Sequence, residues 1–115
     1  MQHLVFVYGT LRQGECNHHY LVNSQLLGHF DTPPEYTLYD LGPYPALVEG
    51  RNVISGEVYL VDEETLAKLD ELEDVPVEYR RESIETTFGR AWIYVYQESD
   101  HLDTIIESGD WCQRV

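Results

Sequence analysis

The opening run Leu4-Val5-Phe6-Val7-Tyr8 carries no charged side chain and stops at Gly9. An apolar run of this length closed by a turn residue predicts a buried strand. Residues 9–14 then form a loop, and a short helix is expected over about residues 17–25. Further strands are predicted at 26–31, stopped by Pro33-Pro34, and at 36–40, before the turn-rich Leu41-Gly42-Pro43-Tyr44-Pro45. A short strand at 46–49 follows. From 54 to 61, Ile54, Gly56, Val58 and Leu60 alternate with Ser55, Glu57, Tyr59 and Val61, the pattern of a half-buried strand.

One helix is strongly marked. Asp62 can cap it, and Glu63 and Glu64 occupy its first turn, where the helix dipole favours negative charge. Leu66, Leu69 and Leu72 recur at three-residue spacing, and Pro76 prevents much continuation. Residues 79–87 and 90–96 are predicted to pair as a hairpin across Phe88-Gly89. A helical turn near 102–106 and a tail through Trp111 complete the chain. Six or seven strands with one main helix make an α+β fold, its mixed sheet curling towards a barrel. No repeat, linker or composition break divides the 115 residues, so a single domain spanning 1–115 is expected.

Charge excludes some partners. Seven Lys plus Arg against twenty-one Asp plus Glu leave a net charge of −14. Nucleic-acid binding depends on basic side chains that neutralise phosphate, and an anionic lipid surface would repel this chain. No nucleic-acid or membrane partner is expected. No run approaches the roughly 18 apolar residues of a membrane span, and the N-terminus has neither the basic stretch nor the apolar core of a signal peptide. Cys16 and Cys112 do not form a disulfide framework. The cytoplasm is the expected compartment. A charge total leaves the field inside a pocket open, so an anionic small substrate stays compatible with it.

Glu73 is the most informative acid. At about 100° per residue, with Leu66 at zero, Leu69 falls at about 300°, Leu72 at about 240° and Glu73 at about 340°. Glu73 therefore lies within the leucine arc, while Glu71 and Asp74 lie outside it. Desolvation, the helix C-terminus and the like charges of Asp70 and Asp74 should all raise its pKa, towards the range of a general acid–base. The alternative is a glutamate that bends to water or pairs with Arg80 or Arg81.

The second feature is Val7-Tyr8-Gly9-Thr10-Leu11-Arg12-Gln13-Gly14. A strand breaking into a glycine loop exposes consecutive backbone N–H groups that can cradle a carboxylate, with the Thr10 hydroxyl as a further donor. An ordinary strand-to-loop turn is the alternative. Without a following Lys-Ser or Lys-Thr it is not a phosphate-binding Walker loop. Cys16, His18 and His19 lack a second ligand pair at a metal-binding spacing, so no metal site is expected. Tyr94 and Tyr96 share one face of the last strand, to line a pocket or to fill a barrel end.

Together these segments resemble the gamma-glutamylcyclotransferase-like family, and in their short form its bacterial YtfP branch. The matching segments are Val5 to Gly14, Tyr44-Pro45-Ala46-Leu47-Val48, Ser55-Gly56-Glu57-Val58-Tyr59 and Leu69-Asp70-Glu71-Leu72-Glu73 with the downstream Tyr79-Arg80-Arg81. The resemblance implies a small mixed α/β barrel in which the glycine loop and the glutamate meet at one cavity. It implies that Tyr8, Gly9, Thr10 and Leu11 bind the glutamyl moiety of a small gamma-glutamyl substrate. Glu73 is the implied catalytic residue, and no metal or organic cofactor is called for. The substrate's α-amino group would attack its gamma carbonyl, closing 5-oxoproline and releasing an amine or amino acid. Family members often have glycine after the glutamate, where this chain has Asp74. A non-catalytic binding module for a small carboxylate or glutamyl ligand is the competing function, although a binder would not need an inward carboxylate.

Overall fold

The computed structural model describes residues 2–98 and 102–113. Among these, seven strands form: β1 (Gln2–Val7), β2 (Gln25–Asp31), β3 (Tyr36–Asp40), β4 (Pro45–Glu49), β5 (Ser55–Asp62), β6 (Tyr79–Thr86) and β7 (Gly89–Tyr96), with one α-helix, α1 (Glu63–Leu72). Five strands make a mixed sheet in the order β2-β5-β1-β7-β6, and β3 and β4 pair as a separate hairpin. β1 occupies the centre. It runs antiparallel to β5 from Gln2↔Asp62 to Val7↔Glu57 and parallel to β7 at Val5↔Trp92.

Both faces of β1 are covered, which explains why its sequence does not alternate. Val5 and Val7 pack with Leu66 and Leu69 of α1 in one apolar cluster. Phe6, and Tyr8 just beyond the strand, point the other way, into a cluster with Leu38 of β3 and Leu47 of β4. The molecule is therefore layered as helix, sheet and hairpin. No described helix is long and apolar enough to cross a membrane.

Three local expectations change. β5 alternates as a half-buried strand only over its first half, where Gly56 and Val58 are buried and Ser55 and Glu57 are not; beyond Val58, which faces the hairpin side, Tyr59 and Val61 are buried against α1, so both faces are covered there. The helix expected over 17–25 is one 3-10 turn, His18–Leu21, and Gln25 already belongs to β2. The segment at 102–106 is extended rather than helical. The Asp40 N–H donates to the Thr104 carbonyl and the Ile106 N–H to the Leu38 carbonyl, so the segment lies along β3. Backbone bonding to a neighbouring strand decided this, and no local propensity encodes it.

The end of α1 sets the site. Asp62 caps its start, its carboxylate accepting the Thr65 N–H at 2.7 Å. At the other end Asp74 adopts a left-handed conformation, φ 52°. The Asp74 N–H donates to the Glu71 carbonyl and the Val75 N–H to the Asp70 carbonyl, the paired bonds of a Schellman stop with Asp74 in the position that favours glycine. A side chain in that conformation costs on the order of 1 kcal/mol. Asp74→Gly is expected to raise stability by roughly 0.5–1 kcal/mol, read as a higher urea midpoint. An unchanged or lower midpoint would show that the Asp74 side chain contributes something that offsets the strain.

Candidate active site

Immediately after β1 the chain turns sharply. Gly9, Thr10 and Leu11 all have their carbonyls tied back: to the Arg12 N–H at 3.0 Å, to the Asn17 N–H at 2.9 Å and to the His18 ring nitrogen at 3.0 Å. Their own N–H groups have no acceptor among the described residues, although all three residues are buried. Buried donors left open at a concave surface are an anion-binding arrangement. The Thr10 hydroxyl accepts from the Asn17 amide at 2.9 Å, leaving its proton to donate elsewhere.

Glu73 stands on the wall of the cleft over these groups. Glu73 directly follows α1, where its N–H still bonds the Leu69 carbonyl at 2.9 Å. Its carboxylate has no hydrogen bond or ion pair among the described residues. Burial pushes its pKa up to about 7, with repulsion from Glu78 as the second cause. The cause expected from sequence is therefore partly wrong. Asp70 does not act as a free like charge, because it is paired with Arg81 at 3.2 Å and accepts the Tyr94 hydroxyl at 2.8 Å. Arg80 pairs with Glu82, so neither arginine neutralises Glu73.

Aromatic residues form the rest of the wall. Tyr44, Pro45, Tyr79 and Tyr94 line the cleft together with the loop and Glu73. Their hydroxyls are held: Tyr79 donates to the Pro45 carbonyl at 2.6 Å, Tyr8 to the Tyr94 carbonyl at 2.7 Å and Tyr44 to Glu78 at 2.7 Å. Burial raises the pKa of Tyr8, Tyr79 and Tyr94, and the bond to Glu78 raises that of Tyr44 to about 12. They are neutral walls. Tyr96 lies behind, its ring edge-on to Tyr79 at 5.2 Å. Tyr44 and Tyr79 were visible only as parts of matching segments, and Glu78 carried no signal at all. Each reaches the site through β-strand pairing or turn geometry that one sequence does not display.

Of the four loop residues, Gly9 and Thr10 contribute to the cleft directly. Leu11 turns its side chain into the core under α1, so only its backbone faces the cleft, and Tyr8 offers its ring. Gly9 does not use a left-handed backbone. A Cβ built there would meet Pro45 Cγ at 2.6 Å, so glycine is required by close packing. Arg12 turns away from the cleft and is buried, pairing with Glu57 at 3.1 Å and Asp110 at 2.5 Å. Cys16 is exposed, and among the described residues no group of three or more His, Cys, Asp or Glu side chains is placed to hold a metal ion.

The gamma-glutamyl cyclotransferase, AIG2-like family matches residues 5–113. The chain belongs to this family. A Vibrio cholerae relative is 73% identical over 115 residues, covering 100% of both chains. The Escherichia coli family protein YtfP, known from a solution NMR structure, superposes with TM-score 0.77 at 49% identity, covering 96% of this chain and 97% of its own. A Pyrococcus horikoshii protein of uncharacterised role superposes with TM-score 0.84 at 34% identity, covering 95% and 89%. The position directly after Glu73 is left-handed, a conformation that favours glycine, and Asp74 occupies it at φ 52°.

Carboxyl-carbon NMR titration should resolve Glu73 near pH 7, well above the ordinary glutamate value of 4.5. Glu78→Gln should lower the Glu73 value, and Asp74→Asn should not. Because the folded state holds this proton to higher pH than the unfolded chain, the contribution of Glu73 to stability is full below the unfolded value of about 4.5 and is lost as pH rises to about 7. Glu73→Gln should accordingly be more stable than the wild type at pH 8. A Glu73 that titrates at the ordinary glutamate value of 4.5 would refute the desolvated carboxylate. Gly9→Val should push Pro45 off the loop and weaken glutamate binding at least about 10-fold, checked by calorimetry on the folded variant.

Proposed function

We propose that the protein converts a gamma-glutamyl compound to 5-oxoproline and a free amine or amino acid by intramolecular cyclotransfer, with Glu73 as general acid–base. One observation carries this proposal. An unpartnered, desolvated carboxylate and three open, buried backbone N–H groups line a single cleft. The N–H groups of Gly9, Thr10 and Leu11, with the Thr10 hydroxyl, would receive the substrate α-carboxylate. The tyrosine rings would confine the glutamyl chain in a bent pose, bringing the α-nitrogen to the gamma carbonyl. Holding nucleophile and electrophile of one molecule in contact removes much of the entropic barrier.

An α-ammonium cannot attack until it loses a proton, and a carboxylate titrating near 7 can take it without holding it too tightly. The new C–N bond closes the five-membered ring as the amide C–N bond breaks. In the whole reaction the α-nitrogen gives up two protons and the leaving nitrogen gains two, so Glu73 ends as it began. The ring closure calls on no metal or organic cofactor. Residues 1–115 would act as one domain in the cytoplasm on a small molecule, in keeping with the net charge of −14.

The test is 5-oxoproline release from a panel of gamma-glutamyl amines and amino acids. Glu73→Gln keeps size and hydrogen bonding but loses the exchangeable proton, and is expected to lower kcat by about 10²- to 10⁴-fold while remaining folded. In the wild type, kcat/KM should fall as pH drops below about 7, where Glu73 is protonated. A folded Glu73→Gln that turns over like the wild type would overturn the acid–base role. Ligand binding with no 5-oxoproline from any member of the panel would assign the cleft to a binding module instead.

A further inference from the structure

Glu73 borders two clefts. A second one opens beside the first and shares Thr10, Tyr44, Glu73 and Tyr79 with it, adding Asn17, Leu72 and Glu78. If the glutamyl half occupies the first cleft, the bond to be broken lies against Glu73, and the departing group has the second cleft before it. That much rests on the cyclotransferase proposal. The lining of the second cleft then bears on what can depart.

Among the described residues, no Lys, Arg or His lines either cleft. Glu78 is half-buried, and its carboxylate has one partner among the described residues, the Tyr44 hydroxyl at 2.7 Å on Oε1. Nearby cations are already engaged, Arg80 with Glu82 and Arg81 with Asp70. Glu78 therefore presents an uncompensated negative charge at a fixed place in the pocket. Such a charge favours a cation in the cleft and opposes an anion, with more effect than in open water because the site is partly desolvated. The apolar Leu72 side chain and the tyrosine rings suit a short methylene chain between the two ends.

We propose that the second cleft is a leaving-group subsite selecting gamma-glutamyl amides of amines that carry a further, distal ammonium group, held by Glu78, over amides of neutral amines or of amino acids bearing a free carboxylate. Glu78 acts here as a specificity residue, and Tyr44 positions it through the hydroxyl bond. The bonds made and broken are those of the cyclotransfer already described, and the released amine leaves as its ammonium form.

Three substrates of similar length test it: the gamma-glutamyl amides of 1,4-diaminobutane, of butylamine and of 4-aminobutanoate. The wild type should show kcat/KM at least about 10-fold higher for the diamine amide than for the butyl amide, with the carboxylate-bearing amide poorest. Glu78→Gln keeps the bond from Tyr44 and should bring the ratio of the first two close to one. Equal wild-type values, or a preference that survives in Glu78→Gln, would overturn the subsite while leaving cyclotransfer standing. A second measurement is independent of turnover: titration of the folded protein with 1,4-diaminobutane and with neutral butan-1-ol, observing the Glu78 carboxyl carbon. A shift with the diamine alone supports the subsite even where no amide yields 5-oxoproline, an outcome that removes the catalytic proposal only. No shift with either, or an equal shift with both, counts against the subsite.

Discussion

Everything at the site depends on β1 being buried on both faces. Val5 and Val7 are locked under α1, and Phe6 and Tyr8 are locked under the β3–β4 hairpin. The loop that follows starts from a rigid point, and its carbonyls are all consumed in holding its own turn. Backbone groups are obligatory hydrogen-bonding groups, so directing the carbonyls one way leaves the N–H groups open on the other. Under the proposed function these N–H groups would form a recognition surface made of backbone, which changes little when side chains vary. It also needs no cation, which is notable in a chain with seven Lys and Arg.

Arg12 shows how the same loop is anchored from behind. Its buried guanidinium joins Glu57 of β5 to Asp110 near the C-terminus, and Glu57 also accepts the Gln13 N–H at 2.9 Å. Three segments far apart in sequence are thereby held at one point. Truncating a buried partner in such a set is far more costly than the pair is worth, because it strands the remaining charges. The arginine beside the cleft is structural, and the acid across the cleft is the group left without a partner.

That contrast gives the site its chemical character. The half-buried acids Glu57 and Asp110 are paired, Asp70 is paired with Arg81, and Glu73 has no partner among the described residues. A carboxylate removed from water without compensation holds its proton more firmly, and Glu78 adds to the effect. The tyrosines around it have raised pKa values, which keeps them neutral and leaves Glu73 as the proton-exchanging group of the wall near neutral pH.

The sequence by itself determined the strand ending at Gly9, the capped helix, its leucine face and the inward heading of Glu73, because each is a local pattern of period, cap or turn. The α+β class followed from the same patterns. Only the tertiary structure decided that β5 is covered on both faces over its second half, that residues 102–106 run extended beside β3 and that residues 17–25 hold no more than a 3-10 turn before β2. It also decided which charges are paired. Asp70 and Asp74 are near Glu73 along the chain but do not raise its pKa, while Glu78 does, having been brought to the cleft by the turn after Asp74 and by Tyr44 from the hairpin. Sequence distance says which charges are neighbours along a helix. Burial and pairing, which set a pKa and a pocket's preference, are properties of surfaces that exist only once the layers have closed.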